Sequence, residues 1–144
     1  MIDLDYKAIQ FIREHRVARL ATADSSGQPQ VVPICYVFEG GAIYSPIDEK
    51  PKRVSPYRLR RVRNVESNNR VSLVIDDYSD DWSRLAWLIV DGRAEIIEPE
   101  RAEHALAVQW LQEKYQQYKL MSLGDRPMIK ITPEHIASWK AQEG

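Results

Sequence analysis

Cysteine is nearly absent. Cys35 is the single thiol in 144 residues, so no disulfide can form within the chain, and a reducing, cytoplasmic setting is expected. Cys35 stands in an apolar, strand-like stretch and reads as a small buried hydrophobe rather than a reactive thiol. Histidine is equally sparse: His15, His104 and His135 are scattered, and no pair has the i, i+4 or Cys-x-x-Cys spacing that converges on zinc. No metal site is expected. The six glycines form neither Gly-x-Gly-x-x-Gly nor Gly-Lys-Ser/Thr, the loops whose bare backbone approaches a phosphate. A phosphorylated ligand must then be held by side-chain charge. Long apolar runs are missing too. The longest, Val31 to Phe38, is interrupted by Pro33, far short of the ~20 residues that span a bilayer. The start, Met1-Ile2-Asp3-Leu4-Asp5, is acidic and has no basic, then apolar, leader pattern. Net charge is also small, with 20 basic against 21 acidic residues and a pI near 6.3. That balance argues against a large nucleic-acid footprint.

What is present is ordinary globular composition, 44% hydrophobic and 28% charged. The length fits one domain over residues 1–144. A domain of this size buries roughly 68 to 70% of its unfolded surface, leaving little interior to enclose a long ligand within one subunit.

Periodicity supplies the elements. Asp3 can cap a helix to about His15, with Leu4, Ala8, Phe11 and Ile12 on one stripe. Strands are expected over 16–23, 30–38 and 42–47, with Glu39-Gly40-Gly41 as a tight hairpin. Ser55-Pro56 reads as a helix start, running to about Ser67. Strands follow at 70–76 and 84–98, the latter with a bulge at Gly92. Pro99 opens a helix to about Lys119, 127–131 reads as a strand, and Thr132-Pro133 predicts a short terminal helix containing Trp139. Most connections are too short for parallel crossovers. The pattern predicts a mainly β fold with flanking helices, a small antiparallel barrel.

Charge is segregated. From Lys50 to Arg63 there are seven basic residues, Lys50, Lys52, Arg53, Arg58, Arg60, Arg61 and Arg63, and no acidic one. A loop and helix so equipped suit phosphate or polycarboxylate through charge-assisted hydrogen bonds. The alternative for the helical arginines is a solvated face paired with nearby acids.

A set of short strings recurs in a familiar order: Arg19-Leu20-Ala21-Thr22, Gly27-Gln28-Pro29-Gln30-Val31-Val32-Pro33, Ile43-Tyr44-Ser45, Glu49-Lys50-Pro51-Lys52-Arg53, Leu59-Arg60-Arg61, Asn69-Arg70-Val71-Ser72-Leu73, and Trp87 through Glu95. Together they resemble the pyridoxamine 5'-phosphate oxidase-like split barrels, and most closely the branch that uses the deazaflavin coenzyme F-420 rather than FMN. The resemblance implies a split β-barrel of six or seven antiparallel strands. It also implies a homodimer in which a flavin-type ring lies between subunits. On this pattern Val32 and Pro33 pass beside the ring, Ser45 meets the ribityl-phosphate region, and Lys50 and Lys52 hold the phosphate with Arg53 nearby. Trp87 supplies an aromatic wall. The basic loop is one residue longer than in such relatives, and Pro51 stiffens it. The stretch Lys130 to Gly144 lacks the arginine- and histidine-containing substrate motif of the true oxidases, so pyridoxamine phosphate oxidation is not expected.

A deazaflavin joins an aromatic ring to a phosphodiester and an oligoglutamate tail, a gradient that a groove leading into the basic tract would match. The expected activity is hydride transfer between this cofactor and a small organic substrate. An FMN-dependent oxidase or reductase is the alternative. A cofactor- or haem-binding protein without turnover is a further one, which a histidine in the groove would favour. No catalytic acid or base can be named from the strings.

Overall fold

Two residues separate strands that lie at opposite edges of one sheet, and that short link dictates the shape of the molecule. The computed structural model describes residues 2–48 and 55–142. Its strands are β1 (Ala18–Ala23), β2 (Pro29–Ile34), β3 (Val37–Glu39), β4 (Ala42–Pro46), β5 (Arg70–Asp77), β6 (Ala86–Ile97) and β7 (Met128–Lys140), and its helices are α1 (Tyr6–Glu14), α2 (Arg60–Ser67) and α3 (Ala102–Lys114). The strands pair antiparallel in the order β2-β1-β5-β6-β7-β4-β3. β2 and β3 are therefore the two edges, yet only Cys35 and Tyr36 join them. Three Cα steps span at most ~11 Å, so the sheet must curl until its edges nearly meet. The result is the mainly β split barrel expected from the sequence.

The reading of 30–38 as one strand is corrected here. At Cys35 and Tyr36 the chain leaves one edge and crosses to the other, so ladder bonds cannot form, and side chains replace them. The Tyr36 N–H donates to the Tyr115 hydroxyl at 3.1 Å, and the Tyr36 carbonyl lies 2.9 Å from that hydroxyl and 3.0 Å from Lys114 Nζ. Ser45 Oγ donates to the Cys35 carbonyl at 3.0 Å. Tyr36 is fully buried and donates its own hydroxyl to the Ile12 carbonyl at 2.6 Å. Lys114 Nζ also donates to the carbonyl of His15 and sits 4.2 Å over the Tyr36 ring. Buried backbone groups need such partners, because an unpaired one costs about 1–3 kcal/mol.

Inside the curl, Leu20, Ile43, Ile75, Leu88, Ile129 and Ile131 pack with Ile12 of α1 and Val62 of α2. A second apolar cluster lies under α3, where Leu111, Ala107 and Tyr118 meet Tyr44, Ile97 and Met128. Gly40 and Gly41, at φ 61° and 79°, make the two-residue turn joining β3 and β4.

Three boundaries differ from expectation. α1 is capped by Asp5, whose carboxylate accepts the Ala8 N–H at 2.7 Å, rather than by Asp3. Ser55-Pro56 starts a single 3-10 turn, Pro56–Arg58, and α2 begins only after an extended Leu59. The terminal helix is absent: β7 continues through Thr132-Pro133 to Lys140. The register with β6 slips between Asp91 and Gly92, where Gly92 faces Pro133. Proline is tolerated at such a bulge because no ladder N–H is needed there. The Gly92 bulge was legible, and it is what admits the Thr-Pro pair into a strand.

Two measurements test this frame. A Cβ on Gly92 would lie 2.3 Å from the Thr132 carbonyl oxygen. Gly92→Ala is expected to cost about 1–3 kcal/mol in urea denaturation, as overpacking against backbone does. Tyr115→Phe should cost about 1–3 kcal/mol by leaving the Tyr36 N–H unpaired. Burial raises the Tyr115 hydroxyl to about 12 and pushes that of Tyr36 upward as well. Stability is thus retained below the ordinary phenol value of ~10 and lost as pH rises above it. Burial and Arg16 lower Lys114 to about 8, so the unfolded chain holds a proton that the folded chain lacks up to ~10.5, and stability rises with pH over that window. Denaturation at pH 7, 9, 10 and 11 should show stability rising from pH 7 to 9 and falling from pH 10 to 11, with that fall reduced in Tyr115→Phe.

Candidate functional site

β2 is an edge strand with alternate residues on either face. Val32 pairs with Leu20 and packs against the barrel core, whereas Pro33, opposite Arg19, is exposed on the outer face. Two residues further on, the Cys35 carbonyl receives the Ser45 hydroxyl. Ser45, the penultimate residue of β4, is buried, and its hydroxyl is committed to bracing the barrel link. Val32, Pro33 and Ser45 are therefore neighbours along one edge of the split. Trp87 is elsewhere. The rung through Pro33 runs Arg19, Val74, Ile89, and Trp87 is two residues along β6 from Ile89. It shares the outer face with Pro33 but stands three strands away, about 14 Å at ~4.8 Å per strand. Within one subunit the two do not converge.

After β4 the chain enters the basic loop. Lys50, Lys52 and Arg53 lie outside the described residues. Its entry is firmly held: Arg126, itself buried, donates to the Ile47 carbonyl at 3.2 Å, and Tyr118 donates to an Asp48 carboxylate oxygen at 2.6 Å. Burial and the Asp48 carboxylate push the Tyr118 hydroxyl strongly upward, so it remains a donor. His104 Nε2 contacts the Arg126 carbonyl and seats that segment on α3. Sequence reasoning missed Tyr118 and Arg126, which sit 70 and 79 residues from their partners. No local pattern signals such contacts.

Beyond the loop, α2 divides its arginines by face. Arg61 is buried with Val62, Asn64 and Val65, and Asn64 Nδ2 donates to Thr22 Oγ1 at 2.9 Å, fixing the helix on β1. Arg58, Arg60 and Arg63 face outward around a cleft of about 640 Å³ that Asp24, Ser25, Asn64 and Ser67 complete. Among the described residues these three arginines have no ion pair. The Asp24 carboxylate, lowered by the Ser26 hydroxyl and the backbone N–H groups of Gln28 and Ser26, is already occupied in its own turn. Among the described residues, then, no acid pairs with this face of the helix.

The remaining histidines are placed as follows. His15 is held between the Phe11 carbonyl and the Asp77 carboxylate, at 2.7 Å from each. His135, expected in a helix, lies on strand β7 opposite Asp91, exposed on the outer face. No group of three or more metal-binding side chains occurs among the described residues. No helix among them is long and apolar enough to cross a membrane.

The family model described as Pyridoxamine 5'-phosphate oxidase matches residues 4–140. The chain belongs to that family. No curated protein matches it. Among solved structures, it is similar to a conserved hypothetical protein from Mycobacterium tuberculosis, at 22% identity over 99% of this chain and 88% of that one, with a TM-score of 0.76. It is similar also to HutZ, the heme storage protein from Vibrio cholerae, at 20% identity over 96% and 95% of the two chains, TM-score 0.74. An FAD-binding protein from Mesorhizobium loti shares 24% identity over 94% of each chain, TM-score 0.68. At these identities the likenesses establish the split-barrel fold. They span proteins of different ligands, so within the pyridoxamine 5'-phosphate oxidase family the choice of cofactor has to be argued from this chain's own residues.

The arginine cleft makes its own prediction. Replacing Arg58, Arg60 and Arg63 together by alanine should change stability by no more than about 0.5 kcal/mol, as for surface positions without structural partners. The same variant should lose most of the affinity for inorganic pyrophosphate, and wild-type affinity should fall as salt rises. Calorimetric titration at two salt concentrations checks both.

Proposed function

We propose that the protein is a deazaflavin-dependent oxidoreductase, working with coenzyme F-420 as a homodimer on an unidentified small organic substrate. The observation that carries this reading is the cleft of Arg58, Arg60 and Arg63, cationic and without ion pairs among the described residues, a few residues along the sequence from Lys50, Lys52 and Arg53. FMN needs charge at one phosphate only. A cofactor with a phosphodiester and an oligoglutamate tail extends several carboxylates beyond that point, and an arginine row is the arrangement that would receive them.

On this reading Lys50 and Lys52 hold the phosphate, with Arg53 beside them. Val32 and Pro33 line the ring, and the second copy supplies the opposite wall, including its Trp87. The ~14 Å between Pro33 and Trp87 within one subunit is a reason to invoke that second copy. So is the outer face itself: Val31, 62% exposed, lies with Pro33, Ala21, Val74 and Ile89 around the single charged residue Arg19, apolar surface that water would otherwise wet. When bound, the deazaflavin supplies hydride chemistry at its ring. The chain's own contribution is orientation, exclusion of water and positive charge at the tail. Ser45 acts through the Cys35 carbonyl, setting the turn that follows Pro33, rather than by touching phosphate with a hydroxyl that is already engaged.

A haem-binding protein without turnover is the second reading. What favours it is His135, whose imidazole stands exposed on the outer face with Nδ1 3.7 Å from an Asp91 carboxylate oxygen, together with the fold shared with a heme storage protein.

Parallel titrations with the deazaflavin, FMN and haemin distinguish the readings. The deazaflavin is expected to bind tightest, and Lys50→Ala/Lys52→Ala to weaken it at least tenfold with unchanged thermal melting. Tighter FMN binding, or deazaflavin affinity untouched by the double substitution, would overturn the proposal. A Soret band lost in His135→Ala would establish the second reading.

A further inference from the structure

We infer that Tyr57 is a positioning residue for Arg58: its hydrogen bond to Glu98 turns that arginine into the cleft beside α2 and sets how tightly the cleft holds an anion. This rests on the reading of the Arg58, Arg60 and Arg63 cleft as the seat of the cofactor's anionic end.

The three arginines are not held alike. Arg60 and Arg63 stand on α2, which is seated by the buried Val62 and Val65 and by Asn64 on Thr22. Arg58 precedes the helix, in the 3-10 turn Pro56–Arg58, where no residue is buried. A turn without buried side chains has little packing to fix it. Ser55 Oγ accepts the Tyr57 N–H at 3.3 Å and the Ser55 carbonyl accepts the Arg58 N–H at 2.9 Å, bonds that shape the turn without docking it. Docking falls to one side chain. Among the described residues, the Tyr57 hydroxyl donating to a Glu98 carboxylate oxygen is the turn's one side-chain hydrogen bond to another element.

Glu98 is a firm post. It follows Ile97, the fully buried last residue of β6, and its carbonyl accepts the Arg101 N–H at 3.1 Å as the chain turns toward α3. Successive side chains in a 3-10 turn diverge by ~120°, so holding Tyr57 against Glu98 aims its neighbour Arg58 away from that acid. The hydrogen bond to Glu98, burial, and the charges of Glu98, Glu100 and Glu66 raise the Tyr57 hydroxyl to about 12, so it stays a donor at neutral pH. Those three carboxylates are also the nearest competitors for Arg58. Among the described residues none of them pairs with it, and Arg58 lines the cleft with Arg60 and Arg63 instead. Without the Tyr57 bond the turn is untethered, and an acid on this side can draw the guanidinium out of the cleft.

Calorimetric titration of the full chain with inorganic pyrophosphate is the test. Tyr57→Phe, which removes only the hydroxyl, is expected to weaken binding about threefold or more with unchanged thermal melting. Glu98 needs a matched pair, because any neutral replacement also removes a charge. Glu98→Gln keeps an acceptor for Tyr57 and Glu98→Leu does not, so the leucine variant should bind more weakly than the glutamine variant by about the same factor. A double-substitution cycle separates positioning from general loosening of the helix. In an Arg58→Ala background Tyr57→Phe should cost nothing further, whereas in an Arg63→Ala background it should cost its full factor. Equal losses in the two backgrounds, equal binding by the two Glu98 variants, or a Tyr57→Phe chain as tight as wild type would each overturn the inference and leave the cleft standing. Absence of saturable pyrophosphate binding in the wild-type chain would instead remove the reading of the cleft, and the inference with it.

Discussion

The fold depends on satisfying the backbone of two residues. Where the chain passes from β2 to β3 it leaves one edge of the sheet and joins the other, and the peptide groups of Cys35 and Tyr36 belong to no ladder. Tyr115, Lys114 and Ser45 supply the missing partners from three separate elements. Losing Tyr115 leaves the Tyr36 N–H buried without a partner, a cost of about 1–3 kcal/mol against a typical domain's whole stability of about 5–15 kcal/mol. The curl of the sheet, the seating of α1 through Ile12 and the docking of α3 through Lys114 all converge on this crossing. It also fixes the candidate site, because Pro33 lies two residues before the link, and Ser45 braces the link directly.

Much of this architecture could be read before any coordinates. Alternating apolar residues marked most of the strands, Gly40-Gly41 marked the turn that needs positive φ, and Gly92 marked the bulge. These are local signals, in which a residue's own conformational preference decides the outcome. The crossing at Cys35 and Tyr36 was not legible, since a continuous apolar run looks the same whether it stays in one sheet edge or bridges two. The terminal strand was misread for a related reason. Thr132-Pro133 is a sound helix-start signal in isolation, but pairing with the whole of β6 outweighs it. Cross-strand neighbours, and not the segment itself, determine that outcome.

The site divides along the same line. The basic character of 50–63 was plain from composition, and so was its suitability for an anion. Which arginines line the cleft was not. Arg61 turns inward with Asn64 while Arg58, Arg60 and Arg63 surround the cleft, a split that follows from the helix beginning at Arg60 instead of Pro56. Trp87 illustrates the opposite limit. Its exposure on the outer face could be suspected from sequence, but its separation from Pro33 and its pairing with Trp139 depend on strand order, which periodicity does not contain.

The short link between the edges has a consequence for the behaviour of the protein at high concentration. An open sheet presents two unpaired strand borders, each a template for adding another chain. Here one border, β3, is only three residues long, and the other, β2, carries Pro29 and Pro33 in a strand of six, so two of its positions have no N–H to offer. The curl leaves little continuous edge on which filaments could nucleate, and the chain stays protected from edge-to-edge polymerisation without a covalent lock.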